Sequence, residues 1–232
     1  ALLTAVGAAT AGTAGCLGRV RDRFDGEPPV EAPCGPSPDS WSTAGGDPGR
    51  TGRTATTPPP DDADVRRLRL GTREDGGRRF AAGLPAVANG TVFTPTADGV
   101  VAASLSGDPH WVADVDDQVE ATPVIGCDVV FVAGMNGTVA LDPDTGEVLW
   151  ESDAAGYEST ALARRGGTLY TTTFGVSALD ARTGEERWHR GDGDTLAVGE
   201  SGFYTTHNEG GDGALYGYDR DGTERFHLTP GK

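Results

Sequence analysis

The stretch Ala140-Leu141-Asp142-Pro143-Asp144-Thr145-Gly146-Glu147-Val148-Leu149-Trp150 decides how this chain is read. Its frame, A-x-D-x-x-T-G-x-x-x-W, returns at Ala178-Leu179-Asp180-Ala181-Arg182-Thr183-Gly184-Glu185-Glu186-Arg187-Trp188, 38 residues further on. A fixed period of about 20 to 50 residues is the mark of a solenoid, propeller or array. Each frame reads as a hairpin. Val139-Ala140-Leu141 and Val148-Leu149-Trp150 are β-compatible runs, and turn chemistry lies between them. Asp142 can bond the backbone two residues on, Pro143 presets the second position of a type I turn, and Gly146 can take the left-handed conformation that closes the loop.

Weaker copies flank the two strong ones. Ser104-Leu105-Ser106-Gly107 leads to Trp111, and Asp219-Arg220-Asp221-Gly222 leads to Phe226. Their loops are one residue shorter, which suits a three-residue hairpin with a glycine bulge at Gly107 or Gly222. A second anchor keeps the same register. Gly99, Gly137, Gly175 and Gly213 recur every 38 residues, each just before a strand-like run. The spacing gives four repeats, at about 83–120, 121–158, 159–194 and 195–232. Each offers an apolar entry strand such as Pro123-Val124-Ile125, a central strand such as Val129-Val130-Phe131-Val132, and then the hairpin. Val65 to Leu70 alternates and reads as a strand of an incomplete earlier unit, so the β region is taken as 63–232. Thirty-six glycines and fifteen prolines, with little helical spacing, fit an all-β chain of short strands and turns.

The frame resembles the tryptophan-docking motif of the PQQ-like (quinoprotein-type) β-propeller repeat family, which includes quinoprotein dehydrogenases and BamB-like lipoproteins. Trp41 to Gly52 is similar to the W-x3-G-G-D-x2-R-T-G opening that precedes the first blade in many lipoprotein members. The resemblance implies four-stranded antiparallel blades, with Trp111, Trp150, Trp188 and Phe226 as wedges between neighbours and Asp142, Gly146, Asp180 and Gly184 as the turns they meet. The expected fold is therefore a β-propeller with four blades visible, arranged as an open arc. A piece of a larger wheel is a further expectation, because the chain stops directly after the fourth motif.

Composition speaks to setting. Thirty-five acidic residues against nineteen basic ones give a net charge of −16, and Lys232 is the only lysine. Such self-repulsion is tolerable where salt screens it, since the Debye length falls to about 3 Å at 1 M. The alternative is an acidic protein from a GC-rich genome. No basic stripe faces phosphates, which excludes nucleic acid as a partner. The halophilic reading, joined to the family resemblance, points to a haloarchaeal type.

The first residues supply an address. Ala1 to Leu17 is uncharged and weakly apolar, shorter than a membrane span of about 20 residues, and fits a cleavable export signal over 1–15. Thr13-Ala14-Gly15-Cys16 resembles a lipobox, with Thr13 where Leu or Val is usual, making Cys16 the expected lipid attachment point. An apolar helix with an incidental cysteine is the competing reading. Residues 16–62, rich in charge, Pro and Gly, then form a tether that lifts the domain off the outer face of the cytoplasmic membrane, with Trp41 to Gly52 within them expected to pack on the propeller edge. Cys34 and Cys127 are left either to bridge, tying the tether to the second repeat, or to stay free thiols.

Catalytic constellations are sparse. Asp142-x-Asp144-x-Gly146-Glu147 lacks the third carboxylate and the distal Glu of a calcium loop. His110, His189, His207 and His227 fall on separate repeats and read as surface histidines. The resemblance implies, for a dehydrogenase, PQQ stacked on a Trp with Ca²⁺ and a catalytic Asp, yet no vicinal cysteine pair exists and the tryptophans occupy docking positions. The expectation is a binding scaffold with no catalytic, cofactor or metal residues, its partners being membrane lipid at the anchor and a protein or cell-surface glycan. The BamB assembly task is not carried over, because it needs an outer membrane. A PQQ-dependent dehydrogenase is the alternative.

Overall fold

The structure is a computed structural model that describes residues 43–44, 83–96, 99–115, 119, 121–126, 128–134, 136–153, 161–173, 175–191, 193–209 and 212–229. All belong to one compact unit, Pro33–Lys232. The export signal, Cys16, Cys34, Cys127, the strand expected at Val65 to Leu70 and, apart from Thr43 and Ala44, the tether and its Trp41 segment lie outside the described residues.

Every described element is a strand, and the strands fall into four antiparallel sheets of four. The first blade comprises β1 (Ala86–Ala88), β2 (Thr91–Thr96), β3 (Gly99–Ser104) and β4 (Pro109–Asp114). The second comprises β5 (Val124–Ile125), β6 (Val130–Ala133), β7 (Thr138–Leu141) and β8 (Val148–Ser152). The third holds β9 (Ala161–Arg165), β10 (Thr168–Thr173), β11 (Gly175–Asp180) and β12 (Glu186–Arg190). In the fourth are β13 (Ala197–Val198), β14 (Gly202–Glu209), β15 (Asp212–Asp219) and β16 (Glu224–Leu228). Each blade is a meander in chain order, and the inner strands β1, β5, β9 and β13 touch their successors along the hub.

The register repeats as strictly as the sequence. One cross-strand row in each blade runs small or branched residue, aromatic, small, aromatic. In the first blade it is Ala86, Phe93, Ala102, Trp111. In the second it is Val124, Phe131, Ala140, Trp150. The third has Ala163, Tyr170, Ala178, Trp188, and the fourth Ala197, Tyr204, Gly217, Phe226. A bulge one residue past the row recurs between Ala102 and Ala103, Ala140 and Leu141, Ala178 and Leu179, and Gly217 and Tyr218. Because side chains alternate across a strand, this row faces the following blade and the next position in each strand faces the preceding one.

The apolar core is therefore divided among seams. One buried cluster joins Phe93, Val100 and Ala102 of the first blade to Val130, Val132 and Leu141 of the second. Another joins Phe131 and Ala140 to Leu162, Leu169 and Leu179 of the third. The last joins Tyr170, Val176 and Ala178 to Phe203, Tyr216 and Tyr218 of the fourth. A single sheet has too little apolar contact of its own to stand alone, so each blade is stabilised by the neighbours packed against it.

Candidate functional site

The repeated frames build the seams. In the second blade Asp142 Oδ1 accepts the backbone N–H of Asp144 at 2.8 Å and of Thr145 at 3.1 Å. The loop closes through Asp142 N–H to Glu147 C=O and Gly146 N–H to Asp142 C=O, both 2.8 Å, with Gly146 at φ 74°. In the third blade Asp180 does the same for Arg182 and Thr183, and Gly184 takes φ 75°. The shorter loops turn on Gly107 at φ 96° and Gly222 at φ 81°.

These turns receive the tryptophans of the preceding blade. Trp111 Nε1 donates to Pro143 C=O at 2.9 Å, and its ring lies so close over Gly146 that a Cβ there would be 2.7 Å from Cε3. Trp150 Nε1 donates to Ala181 C=O at 3.3 Å, and a Cβ on Gly184 would be 2.6 Å from its Cε3. Glycine thus serves twice at one position, by accepting positive φ and by leaving room for an indole face. Within their own blades the rings tilt against Phe93 and Phe131, with centroids 5.8 Å apart in both cases.

The third seam departs from this scheme. Trp188 stacks on Phe203 of the fourth blade at 5.3 Å, and Arg190 Nε donates to Gly222 C=O at 2.7 Å with its guanidinium over the Trp188 ring. The cause is volume. The backward-facing pair is Val130 with Leu141 in the second blade and Leu169 with Leu179 in the third, but Phe203 with Tyr218 in the fourth. The larger aromatics hold the indole away from the turn, and Arg190 spans the gap. Sequence spacing pointed to Trp188 and missed Arg190.

Phe226, expected as a fourth wedge, has no following blade to meet among the described residues. Its ring folds onto Gly217 of its own sheet, where a Cβ would be 2.6 Å away, tilts against Tyr204, and stays 39% exposed. Gly217 stands where the other three rows have alanine, and the ring occupies the space its methyl would fill.

Electrostatics follow the same packing. Burial pushes the Asp180 carboxyl up, but the Arg187 guanidinium at 2.8 Å and the N–H groups of Arg182 and Thr183 outweigh it, so its pKa is lowered overall. Burial pushes the Tyr170 hydroxyl up and the Arg164 guanidinium down, the latter countered in part by Asp128. Ser177 Oγ sits between His189 Nδ1 at 3.0 Å and Glu186 Oε2 at 3.2 Å. The serine is buried and occupies the middle place that a histidine takes in a nucleophilic triad, so this trio braces the outer strand and activates no nucleophile. The remaining histidines are scattered, and no group of three or more His, Cys, Asp or Glu able to hold a metal gathers among the described residues.

The cofactor set implied by the resemblance does not fit the described residues. The described indoles stand on the outermost strands β4, β8 and β12, far along each blade from the hub strands. Those hub strands run Ala86–Ala88, Val124–Ile125, Ala161–Arg165 and Ala197–Val198, and none of their side chains is an aromatic platform or an oxygen ligand.

Residues 50–191 match the family described as outer membrane protein assembly factor BamB, a PQQ-repeat family. The chain belongs to this BamB-like PQQ-repeat family. The outer membrane protein assembly factor BamB of Kangiella koreensis is 32% identical over 114 residues, covering 43% of this chain and 29% of the relative. The chain thus spans less than a third of that curated relative's length. The crystal structure of BamB from Moraxella catarrhalis superposes with TM-score 0.53 at 21% identity, over 63% of this chain and 52% of that one. The quinohemoprotein alcohol dehydrogenase of Comamonas testosteroni gives TM-score 0.59 at 16% identity, over 82% and 41% respectively. At these identities the structural likenesses establish the β-propeller fold of the BamB-like chain and nothing finer.

Proposed function

We propose that this BamB-like chain is a non-catalytic scaffold, held on the outer face of the cytoplasmic membrane by lipid on Cys16, whose blade rims and loops engage a protein or a cell-surface glycan. One observation carries the reading: the repeated residues are committed to packing. Trp111 and Trp150 are occupied by the turns of the next blade, Trp188 by Phe203, and Asp142 and Asp180 by their own loop backbones. What is repeated in this chain builds a rigid frame, and what varies lies on its loops, the arrangement by which repeat proteins present binding surfaces. The relatives it resembles are outer membrane protein assembly factors, proteins that act on other proteins. The acidic, almost lysine-free composition supports a haloarchaeal setting at high salt.

Two measurements test this. Expressed in a haloarchaeal host, the protein is expected in the membrane fraction with a lipid-modified Cys16, and Cys16→Ser is expected to release it. An unmodified Cys16 in a soluble wild-type protein would remove the anchor from the proposal. Incubation with PQQ and Ca²⁺ is expected to give neither a quinone absorption band nor dye-linked oxidation of alcohols or glucose. Turnover in that assay would replace the scaffold with the dehydrogenase.

A further inference from the structure

Every arginine among the described residues lies in the third or fourth blade, whereas turns of the first two blades carry Asp108, Asp128, Asp144 and Glu147. Three of these guanidiniums are joined by shared partners at the seam between the third and fourth blades. Arg187, on β12, donates to Thr168 Oγ1 at 2.7 Å and to Asp180 Oδ2 at 2.8 Å. Thr168 pairs across the β9–β10 hairpin with Arg165, whose Nη2 lies 3.9 Å from Glu200 Oε1. Arg220 in turn donates to the main-chain carbonyl of Glu200. Burial holds the Tyr170 hydroxyl up, and Arg220, Arg187 and Arg165 all pull against it, so the three charges surround one buried phenol. The cluster is internal to the array, with a described blade on either side of it.

Two of the three arginines are incompletely satisfied from within the chain. Arg165 Nε is buried and has no hydrogen-bond partner among the described residues. Its ion-pair partner Glu200 has a side chain 93% exposed and, at 3.9 Å, makes no hydrogen bond with it. Arg220 is exposed, with one N–H on a main-chain oxygen. A buried donor without an acceptor carries a desolvation cost, larger for a charged group, and an outside acceptor relieves it. Arg187, by contrast, is fixed by Thr168 and Asp180 and contributes a charge held in place.

We infer that the Arg165, Arg187 and Arg220 cluster binds side-chain carboxylates of an acidic polypeptide segment, which rests on the scaffold reading and gives one rim of it a partner chemistry. Planar guanidinium forks fit carboxylates through paired, parallel N–H···O bonds. The acceptors the cluster already meets are side-chain carboxylates, Asp180 and Glu200, and a main-chain carbonyl. An acidic polypeptide presents both kinds side by side, while an acidic sugar presents the carboxylate without the amide. The loosely held Glu200 carboxylate is the group that the incoming one displaces.

Fluorescein-labelled hexaglutamate, titrated with the full chain in about 1 M KCl and followed by anisotropy, reads this directly. The Debye length there is about 3 Å, so the net charge of −16 no longer repels the probe. The expected result is saturable binding that Arg165→Gln or Arg220→Gln weakens by about tenfold or more, the share of one charge-assisted bond. Glu200→Gln should bind more tightly, because the competing carboxylate is gone. Arg182→Gln loses the same charge from an exposed turn outside the cluster and should bind as the wild type does. Absence of hexaglutamate binding, or an equal loss in Arg182→Gln, would overturn the inference. So would trigalacturonate binding more tightly than the peptide, which would assign the cluster to an acidic glycan. An arginine variant whose circular dichroism departs from the wild type is replaced by Arg165→Lys or Arg220→Lys, expected to bind more weakly because an ammonium has no fork. The Cys16 and PQQ measurements do not depend on this titration, so a silent cluster leaves the scaffold standing.

Discussion

Replacing Gly184 by alanine isolates the contact on which the architecture depends. Gly184 sits at φ 75° with the Trp150 ring over it, and an added methyl would lie 2.6 Å from Cε3, 2.9 Å from Cδ2 and 3.0 Å from Cζ3. Left-handed backbone costs an alanine about 1–2 kcal/mol. Pushing the indole off the turn adds an overpacking penalty of about 1–3 kcal/mol. Loss of the Trp150 Nε1 to Ala181 C=O bond adds about 0.5–1.5 kcal/mol. The expected total is roughly 3–5 kcal/mol, because the three costs overlap. Gly90 and Gly166 provide the control, since both have positive φ, 77° and 57°, with nothing within 4 Å of an added Cβ. Alanine there should cost only the backbone share. Urea denaturation in high salt, followed by fluorescence and circular dichroism, measures all three, and a Trp150→Ala background completes the cycle. In that background the Gly184→Ala cost should fall to that of Gly90→Ala. The reasoning is refuted if Gly184→Ala costs no more than Gly90→Ala, or if the penalty persists without the indole.

Three other outcomes are expected. Trp111→Phe keeps the apolar plug but leaves Pro143 C=O without its donor, and should lower stability by about 0.5–1.5 kcal/mol in the same assay. Arg190→Ala removes a charged donor from Gly222 C=O and a cation from the Trp188 face, and should cost about 1.5–3 kcal/mol; Arg190→Lys should not rescue it, because the bond is made by the guanidinium Nε. Asp180 has a lowered native pKa, so its stabilisation is complete above the ordinary carboxylate range and is lost as pH falls through the native value. Acid titration of Asp180→Asn should accordingly show a flatter loss of stability below that range than the wild type.

The parts legible in the sequence are those whose causes are local. Asp142 and Asp180 bond the backbone two and three residues on, and Gly146 and Gly184 need positive φ whatever surrounds them, so the frame carries its own geometry. The seams were legible by one further step, since a constant distance from turn to ring places each Trp at the same height in its sheet. Arg190 was hidden because its role depends on Phe203 and Tyr218, which share no turn with it and act by bulk alone. Phe226 followed the spacing rule, and its contact with Gly217 on the neighbouring strand is a separate feature that spacing does not carry. The pattern of turns gave no sign of either.

The placement of the three clusters between sheets has a thermal consequence. Among the described residues the first and fourth blades each take part in one cluster, whereas the second and third each help to build two. Amide protons in the second and third blades should therefore resist exchange on warming according to the clusters their sheets share, a protection set by position and not by local strand propensity. Each unit borrows part of its melting point from the units beside it.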